Sequence, residues 1–183
     1  MTAFLIIIAV VVLLVFYVIG VYNGLKVMSV KADTAFADLD VVLKRRYDLI
    51  PNLVEVAKKY MSHESEVFSN IAKARSGYME ATTPEQKIEA TKQFDKAMST
   101  FKVQVEAYPE LKANTGFENL QAQLVEVENK IRFARQFYND TVTEYNQTIQ
   151  MFPGSLFAGF FNYHNAELFK ANDMAREEVQ VKF

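Results

Sequence analysis

The stretch that decides the fold is FENLQAQLVEVENKIRFARQFYNDTVTEYNQTIQMF, which runs from Phe117 to Phe152. Steps of three and four residues pass through it without a break. Every residue they reach is apolar, aromatic or a threonine: Phe117, Leu120, Leu124, Val127, Ile131, Ala134, Tyr138, Thr141, Tyr145, Thr148 and Phe152. Such spacing places one stripe along a single long helix, as in a bundle or a coiled coil. Because one helix cannot bury its own stripe, the pattern predicts that other helices pack against it.

Three further patterns upstream predict the partner helices. The first ends where Pro51 disfavours the helical conformation, and Asp48 is the predicted N-cap of the second. The third begins at the capping box Thr83–Gln86 and stops at Pro109. Short connections make neighbouring helices antiparallel, so the sequence predicts an antiparallel four-helix bundle with long helices over residues 23–151.

The N-terminal segment predicts a membrane anchor. Residues 3–21, AFLIIIAVVVLLVFYVIGV, contain no charged side chain, and a helix of that length spans about 28 Å, close to the hydrocarbon core of a bilayer. No Lys or Arg precedes the run and no small-residue cleavage site follows it, which argues against a cleaved secretory signal. We therefore predict a transmembrane anchor over residues 1–22. Lys26 and Lys31 follow it, so the positive-inside rule predicts an external N-terminus and a cytoplasmic bundle, with periplasmic placement as the alternative.

Composition and motifs argue against an enzyme. The chain has 20 basic and 22 acidic residues and a net charge of −2, so no basic field favours nucleic acid. It has no cysteine. His63 and His164 lack the Glu-x-x-His spacing of di-iron bundles, no phosphate loop or nucleophile elbow occurs, and Glu126 and Glu128 face different sides of a helix. We expect no catalytic activity, cofactor, metal, nucleic acid or small-molecule substrate.

Two groups of charged residues are candidates for an inter-helix polar layer or for an interaction site. They are Arg45, Arg46 and Asp48 late in the first helix, and Arg132, Arg135, Asp140 and Glu144 in the fourth. Arginine pairs with carboxylates through two parallel hydrogen bonds, and one satisfied layer inside a bundle fixes the register of its helices. Exposed on the surface, the same residues would instead form a patch for a partner protein or for lipid headgroups.

Residues 152–183 form a third region, an aromatic loop and a C-terminal tail that we expect to pack on the bundle. The fourth helix returns toward the membrane, so its end delivers an uncharged segment there. The candidates for membrane contact are Phe152, Leu156, Phe157, Phe160, Phe161 and Tyr163. These aromatics either close the open end of the bundle core or lie in the interfacial zone of the bilayer. Alternation of Val179, Val181 and Phe183 predicts a short extended strand.

Four blocks in order resemble the signature segments of the LemA family. They are LKRRYDLIPNLVEVAKKY (Leu43–Tyr60), AYPELKAN (Ala107–Asn114), ENKIRFARQFYNDTVTEYN (Glu128–Asn146) and FPGSLFAGFF (Phe152–Phe161). The resemblance covers nearly the whole chain and implies a bacterial protein with one N-terminal transmembrane helix and an antiparallel helical bundle. It also implies a short N-terminus outside the cell, in agreement with the lysine argument. It implies no particular reaction.

The sequence therefore predicts an all-α, single-pass protein of the bacterial inner membrane that acts as an interaction or scaffolding module. Its partners would be the bilayer, through residues 3–21, and either copies of itself or another membrane protein. Two alternatives remain open. One is membrane remodelling or lipid-interface binding through Phe152–Tyr163, and the other is an accessory subunit of, or a cryptic, membrane-associated enzyme.

Overall fold

The structure, a computed structural model, describes residues 1–169, and in that range the chain is helical with no strand. Six helices follow one another: α1 (Thr2–Lys58), α2 (Ser65–Glu80), α3 (Pro84–Val105), α4 (Pro109–Lys112), α5 (Thr115–Gln150) and α6 (Gly154–Phe160). The prediction of an all-α protein with a long N-terminal apolar helix is confirmed. The strand predicted near Val179 to Phe183 lies outside the described residues.

The first helix is longer than predicted because it continues through Pro51 to Lys58. The prediction that a new helix starts with Asp48 as its N-cap is wrong. Proline has no N–H, so Pro51 leaves the carbonyl of Tyr47, four residues earlier, without its helical partner. The Nε of Arg75 in α2 donates to that carbonyl at 3.1 Å. This side-chain hydrogen bond replaces the missing backbone one, so the acceptor is not orphaned by the proline.

The start of α3 follows the prediction. The side chain of Thr83 accepts a hydrogen bond from the backbone N–H of Gln86, and Gln86 Oε1 accepts one from the backbone N–H of Thr83 at 3.2 Å. The end of α3 differs, because the helix stops at Val105 and Pro109 begins the short helix α4, which was not predicted. A proline fits that first helical position because its missing N–H has no intrahelical acceptor there.

Helix α5 covers almost all of the predicted long helix. Asn114 Oδ1 accepts a hydrogen bond from the backbone N–H of Phe117 at 3.0 Å and so caps its first turn. The stripe members Phe117, Val127, Ile131, Tyr138 and Tyr145 are buried. Phe152, the last member, is 75% exposed because the helix has already ended at Gln150.

The chain divides into two compact units, to which α1 and α5 both contribute residues. Unit 1 comprises Met1–Asp38 and Gln136–Leu168, and unit 2 comprises Leu39–Arg135 together with Phe169. In unit 1 the ring of Phe36 meets that of Tyr138, with centroids 5.6 Å apart, while Tyr22 meets Phe161 at 4.9 Å. In unit 1 α5 and the segment after it therefore run antiparallel to α1.

The residues that follow α6 lie along α5 in unit 1, held by side-chain hydrogen bonds to their backbone. Tyr138 Oη donates to the carbonyl of Glu167, and Tyr145 Oη donates to that of His164, both at 2.8 Å. Asn146 donates to the carbonyl of Ala166 and accepts from its N–H. The C-terminal half of α5 thus binds the backbone of residues 164–167.

In unit 2 the contacts between α1 and α2 establish that these helices are antiparallel. The ring of Tyr47 stacks on Tyr78, near the end of α2, with centroids 4.0 Å apart. Further along α1, the Nζ of Lys58 lies 5.7 Å from the ring centroid of Phe68, near the start of α2. A connection of only three residues, 81–83, then reverses the chain into α3.

The contacts between α3 and α5 in unit 2 establish the relative direction of these two helices. Phe101, late in α3, meets Phe117 at the start of α5, with ring centroids 6.5 Å apart. Asp95, a turn and a half earlier in α3, pairs at 3.3 Å with Arg135, much further along α5. These two helices are therefore antiparallel as well, as short connections require.

The N-terminal part of α1 has the length and composition of a membrane span. Residues 3–21 of this helix carry no charged side chain, and the part that is apolar enough to cross a membrane is not buried. Its large apolar side chains from Phe4 to Tyr17, and Ile19, are exposed. Exposing such a large apolar surface to water is unfavourable, so the segment indicates a membrane anchor.

Candidate functional site: a buried polar layer and an adjoining groove

A buried arginine is the centre of the polar layer in unit 2. Arg46 of α1 is only 2% exposed, pairs through Nη2 with Asp95 of α3 and bonds through Nε to Glu128 of α5 at 3.0 Å. Its guanidinium carbon also lies 4.5 Å from the ring centroid of Phe94. Arginine suits this position because its planar fork serves two carboxylates while its face rests on an aromatic ring.

A second arginine extends the layer. Arg135 of α5 donates to the other carboxylate oxygen of Asp95 at 3.3 Å, so Asp95 bridges two cations from different helices. The guanidinium carbon of Arg135 lies 4.3 Å from the ring centroid of Phe169. With Glu128, the layer contains two arginines and two carboxylates, and its formal charges cancel.

The other predicted polar residues lie on the surface. Arg45 and Asp48 are exposed on α1, as are Arg132, Asp140 and Glu144 on α5. Arg132 lies over the ring of the following residue, Phe133, at 5.3 Å. Of the seven candidates, the structure therefore brings together only Arg46 and Arg135, and a carboxylate outside the candidate set joins them.

Asp95 was not among the predicted residues, although a signal for it exists in the sequence. It lies four residues after Thr91 and three before Met98, both of which belong to the apolar stripe of α3. A carboxylate at a stripe position must find a partner when it is buried. The sequence gives less indication that Glu128 is involved, because nothing local distinguishes it from the nearby Glu126. In the structure Glu126 pairs with Lys130 on the surface.

A second polar cluster lies in unit 2 and was also missed. Asp40 of α1 accepts hydrogen bonds from the hydroxyl of Tyr78 in α2 and from Nζ of Lys87 in α3, the latter at 2.6 Å. Burial, and then the hydrogen bond to Asp40, raise the pKa of Tyr78. Tyr47, stacked on Tyr78, donates to Thr91 Oγ1 at 3.3 Å. These contacts tie three helices together through polar groups.

Tyr47 gives the fold a pH dependence in the alkaline range. Burial raises the pKa of Tyr47 from 10.0 to about 12, against the opposing effects of its hydrogen bond to Thr91 and of the Arg46 charge. Because the folded-state pKa is raised, the stabilisation is complete below pH 10 and disappears as the pH approaches 12. Its loss costs about 2–3 kcal/mol of unfolding free energy.

We expect the free energy of unfolding, measured by denaturant titration followed by helical circular dichroism, to fall between pH 10 and 12. In Tyr47→Phe the alkaline loss of stability should shrink, although Tyr78 continues to contribute. An unchanged alkaline transition in this variant would contradict the assignment to Tyr47.

A groove with a volume of about 400 Å³ adjoins the polar layer in unit 2. Its apolar lining includes Ile50, Leu53, Met98, Phe101, Leu124 and Val125, contributed by α1, α3 and α5. Charged groups of both signs line it as well: Arg46, Lys102 and Lys112 with Glu106 and Glu128. Val125 at the groove is 61% exposed. An apolar groove bordered by mixed charges has the features of a docking surface.

The described residues offer no metal site, since no group of three or more His, Asp or Glu side chains in that range is placed to hold an ion. His63 is exposed in the connection between α1 and α2. His164 is exposed too, and its Nε2 lies 3.1 Å from Asn162 Oδ1.

The aromatic segment lies in unit 1, where α6 packs by one side and exposes the other. Gly154 and Ala158 are buried, whereas Phe157, Phe161 and Tyr163 are half-buried. The remaining candidates, Phe152, Leu156 and Phe160, are exposed. Part of the segment thus covers its neighbours while another part is left open.

These features define a class: a helical-bundle protein with an apolar N-terminal helix suited to a membrane. A sequence profile described as "LemA family" matches residues 35–183. The chain belongs to the LemA family.

Individual relatives agree with that membership. Protein LemA of Metamycoplasma hominis is 24% identical over 170 residues, covering 91% of this chain and 76% of that protein. Magnetosome protein MamQ 2 of Paramagnetospirillum magneticum is 24% identical over 175 residues, covering 81% of this chain. The chain spans 64% of the length of that magnetosome protein.

Proposed function

We propose that this protein is a membrane-tethered scaffolding module that acts by self-association and not by catalysis. The groove beside the polar layer carries the proposal, because it is a largely apolar recess whose edge residue Val125 is 61% exposed, in a unit whose buried charges are paired with one another. Burying such apolar surface against a second chain gains about 25 cal/mol per Å². The buried arginines are engaged in holding helices together, which leaves them unsuited to chemistry.

The membrane favours a second copy as the occupant of the groove. Two chains anchored through residues 3–21 in one bilayer insert in the same direction and carry the same groove. A twofold axis along the membrane normal then brings groove to groove, in the isologous geometry typical of dimers. Confinement to two dimensions also raises the effective concentration of each copy for the other.

The charges around the groove are compatible with this pairing. Lys112 pairs with Glu106 at 2.7 Å, and both side chains are about half exposed or more, so the pair is open to exchange. Lys102 lines the groove as a further cation. A surface with both signs is self-complementary, since the cation of one copy meets the carboxylate of the other.

A single engineered cysteine tests the proposal cleanly, because the native chain has none. We expect Val125→Cys to form a disulfide-linked dimer in membranes treated with a mild oxidant, since the two groove edges lie close to the twofold axis. Gel electrophoresis without reductant measures the dimer.

Val41→Cys is the matched control, because Val41 is an exposed valine of α1 outside the groove lining, with 69% exposure against 61%. The dimer yield at Val125→Cys should exceed the control several-fold. Equal yields at the two positions, or none at either, would exclude self-association through this groove.

The proposed orientation places the N-terminus outside and residues 23–183 in the cytoplasm, supported by Lys26 and Lys31 after the span. The same Val125→Cys variant reports on it. A membrane-impermeant maleimide should leave this cysteine unlabelled in intact cells and label it after lysis. Labelling in intact cells would reverse the orientation.

A further inference from the structure

The exposed side of α6 is an apolar surface with no described cover. Leu156 and Phe160 are four residues apart, so they share one side of the helix, and they are 66% and 84% exposed. Phe152, just before α6, is 75% exposed. The opposite side, with Gly154 and Ala158, is buried. Single exposed apolar residues are ordinary. Three large ones on a seven-residue helix and the residues just before it form an apolar patch, and such patches usually mark an interaction site.

The position of this patch in unit 1 identifies the partner. The ring of Phe161, at the end of α6, meets Tyr22 with centroids 4.9 Å apart. At the other end of α6, a Cβ built on Gly154 would lie 3.5 Å from Leu25 Cδ2. Tyr22 directly follows the charge-free run of residues 3–21. Helix α6 therefore lies beside the residues of α1 that emerge from the hydrocarbon core.

The chemistry of the segment fits lipid. Residues 151–166 contain no Asp, Glu, Lys or Arg, so no ion-pairing group resists burial among acyl chains. Tyr22 and Tyr163 supply phenols at the same end of the unit, and tyrosine is enriched where headgroups meet hydrocarbon. Ring contacts link the patch to α1, because Phe160 meets Phe161 with centroids 5.2 Å apart and Phe161 in turn meets Tyr22.

We propose that α6 is a second membrane contact, lying in the interfacial plane with Phe152, Leu156 and Phe160 about 5–10 Å into the headgroup and acyl boundary. It makes the single-pass anchor a two-point attachment. Rotation and tilt of α1 in the bilayer are thereby restrained, since α6 is packed against it. The inference goes beyond the self-association proposed above and does not depend on it.

Depth-dependent fluorescence quenching tests this contact. Phe160→Cys, labelled with a small environment-sensitive fluorophore, is placed in the full chain in phosphatidylcholine vesicles that contain nitroxide lipids. We expect strong quenching by nitroxides near the headgroup and weak quenching by aqueous iodide.

Gln136→Cys is the control on the same unit. Gln136 is exposed on α5 and lies about 21 Å along the helix from its end at Gln150, so nitroxide quenching there should be several-fold weaker. A Leu156→Cys variant repeats the measurement at a second position of α6. The proposal is overturned if iodide reaches both α6 positions as readily as it reaches Gln136→Cys. With mostly one chain per vesicle, the result is independent of self-association.

Discussion

Asp95→Ala is expected to lower the free energy of unfolding by about 3–5 kcal/mol, the range for removing one partner of a buried ion pair. Asp95 is 21% exposed and bridges Arg46 with Arg135. Its loss takes from Arg135 the carboxylate to which it is paired and leaves Arg46 with the partly exposed Glu128. Arg46 cannot turn to solvent, because it is 2% exposed. Nor can arginine give up its proton, so it remains a charge in an apolar setting.

The measurement is denaturant unfolding of the full chain in detergent micelles, followed by helical circular dichroism. Lys130→Ala is the control, since it breaks an ion pair with Glu126 in which both side chains are about half exposed or more. That exposed i,i+4 pair contributes little to stability, because solvent screens it. Similar losses for the two variants would show that the Asp95 layer is not a structural element of the bundle.

Gly154→Ala should destabilise the protein by about 1–3 kcal/mol, the usual cost of overpacking. A Cβ at this glycine would lie 2.1 Å from the carbonyl oxygen and 3.2 Å from the carbonyl carbon of Thr148, in the last turns of α5. Both are backbone atoms, so no flexible side chain can move aside. The start of α6 must shift instead, which loosens the contact between Phe161 and Tyr22.

Gly159→Ala provides the matched control on the same short helix. A Cβ at Gly159 meets nothing within 4 Å among the described residues, and alanine is the better helix former by up to about 1 kcal/mol. We expect this variant to be neutral or slightly stabilised in thermal unfolding. Equal behaviour of the two alanine variants would contradict the close approach at Gly154.

Helix α3 and helix α1 illustrate why some elements were predictable and others were not. The start of α3 depends on local chemistry, the reciprocal hydrogen bonds of Thr83 and Gln86, and both residues lie within one stretch of four. The passage of α1 through Pro51 depends on Arg75, a residue 24 positions later whose side chain reaches the carbonyl of Tyr47. No local pattern contains that contact, so the sequence favoured a helix end.

In the polar layer, too, the sequence identifies some residues while tertiary contacts decide their partners. Arg46 and Arg135 were recognisable as arginines near the helix stripes, but their shared partner Asp95 lies on a third helix. Arg132, only three residues from Arg135, faces solvent. Which of these arginines turns inward is set by the rotation of α5 against its neighbours, and that rotation depends on packing over the full length of the helix.

By itself the sequence determined the helical class, the apolar N-terminal segment, the long helix that begins near Phe117 and the family, because each rests on short-range periodicity or on contiguous motifs. The tertiary structure alone decided which charges are buried, where the groove opens and which side of α6 is left exposed. Those features depend on atoms brought together from helices far apart in the chain, and spacing along one helix carries no information about its neighbour's rotation.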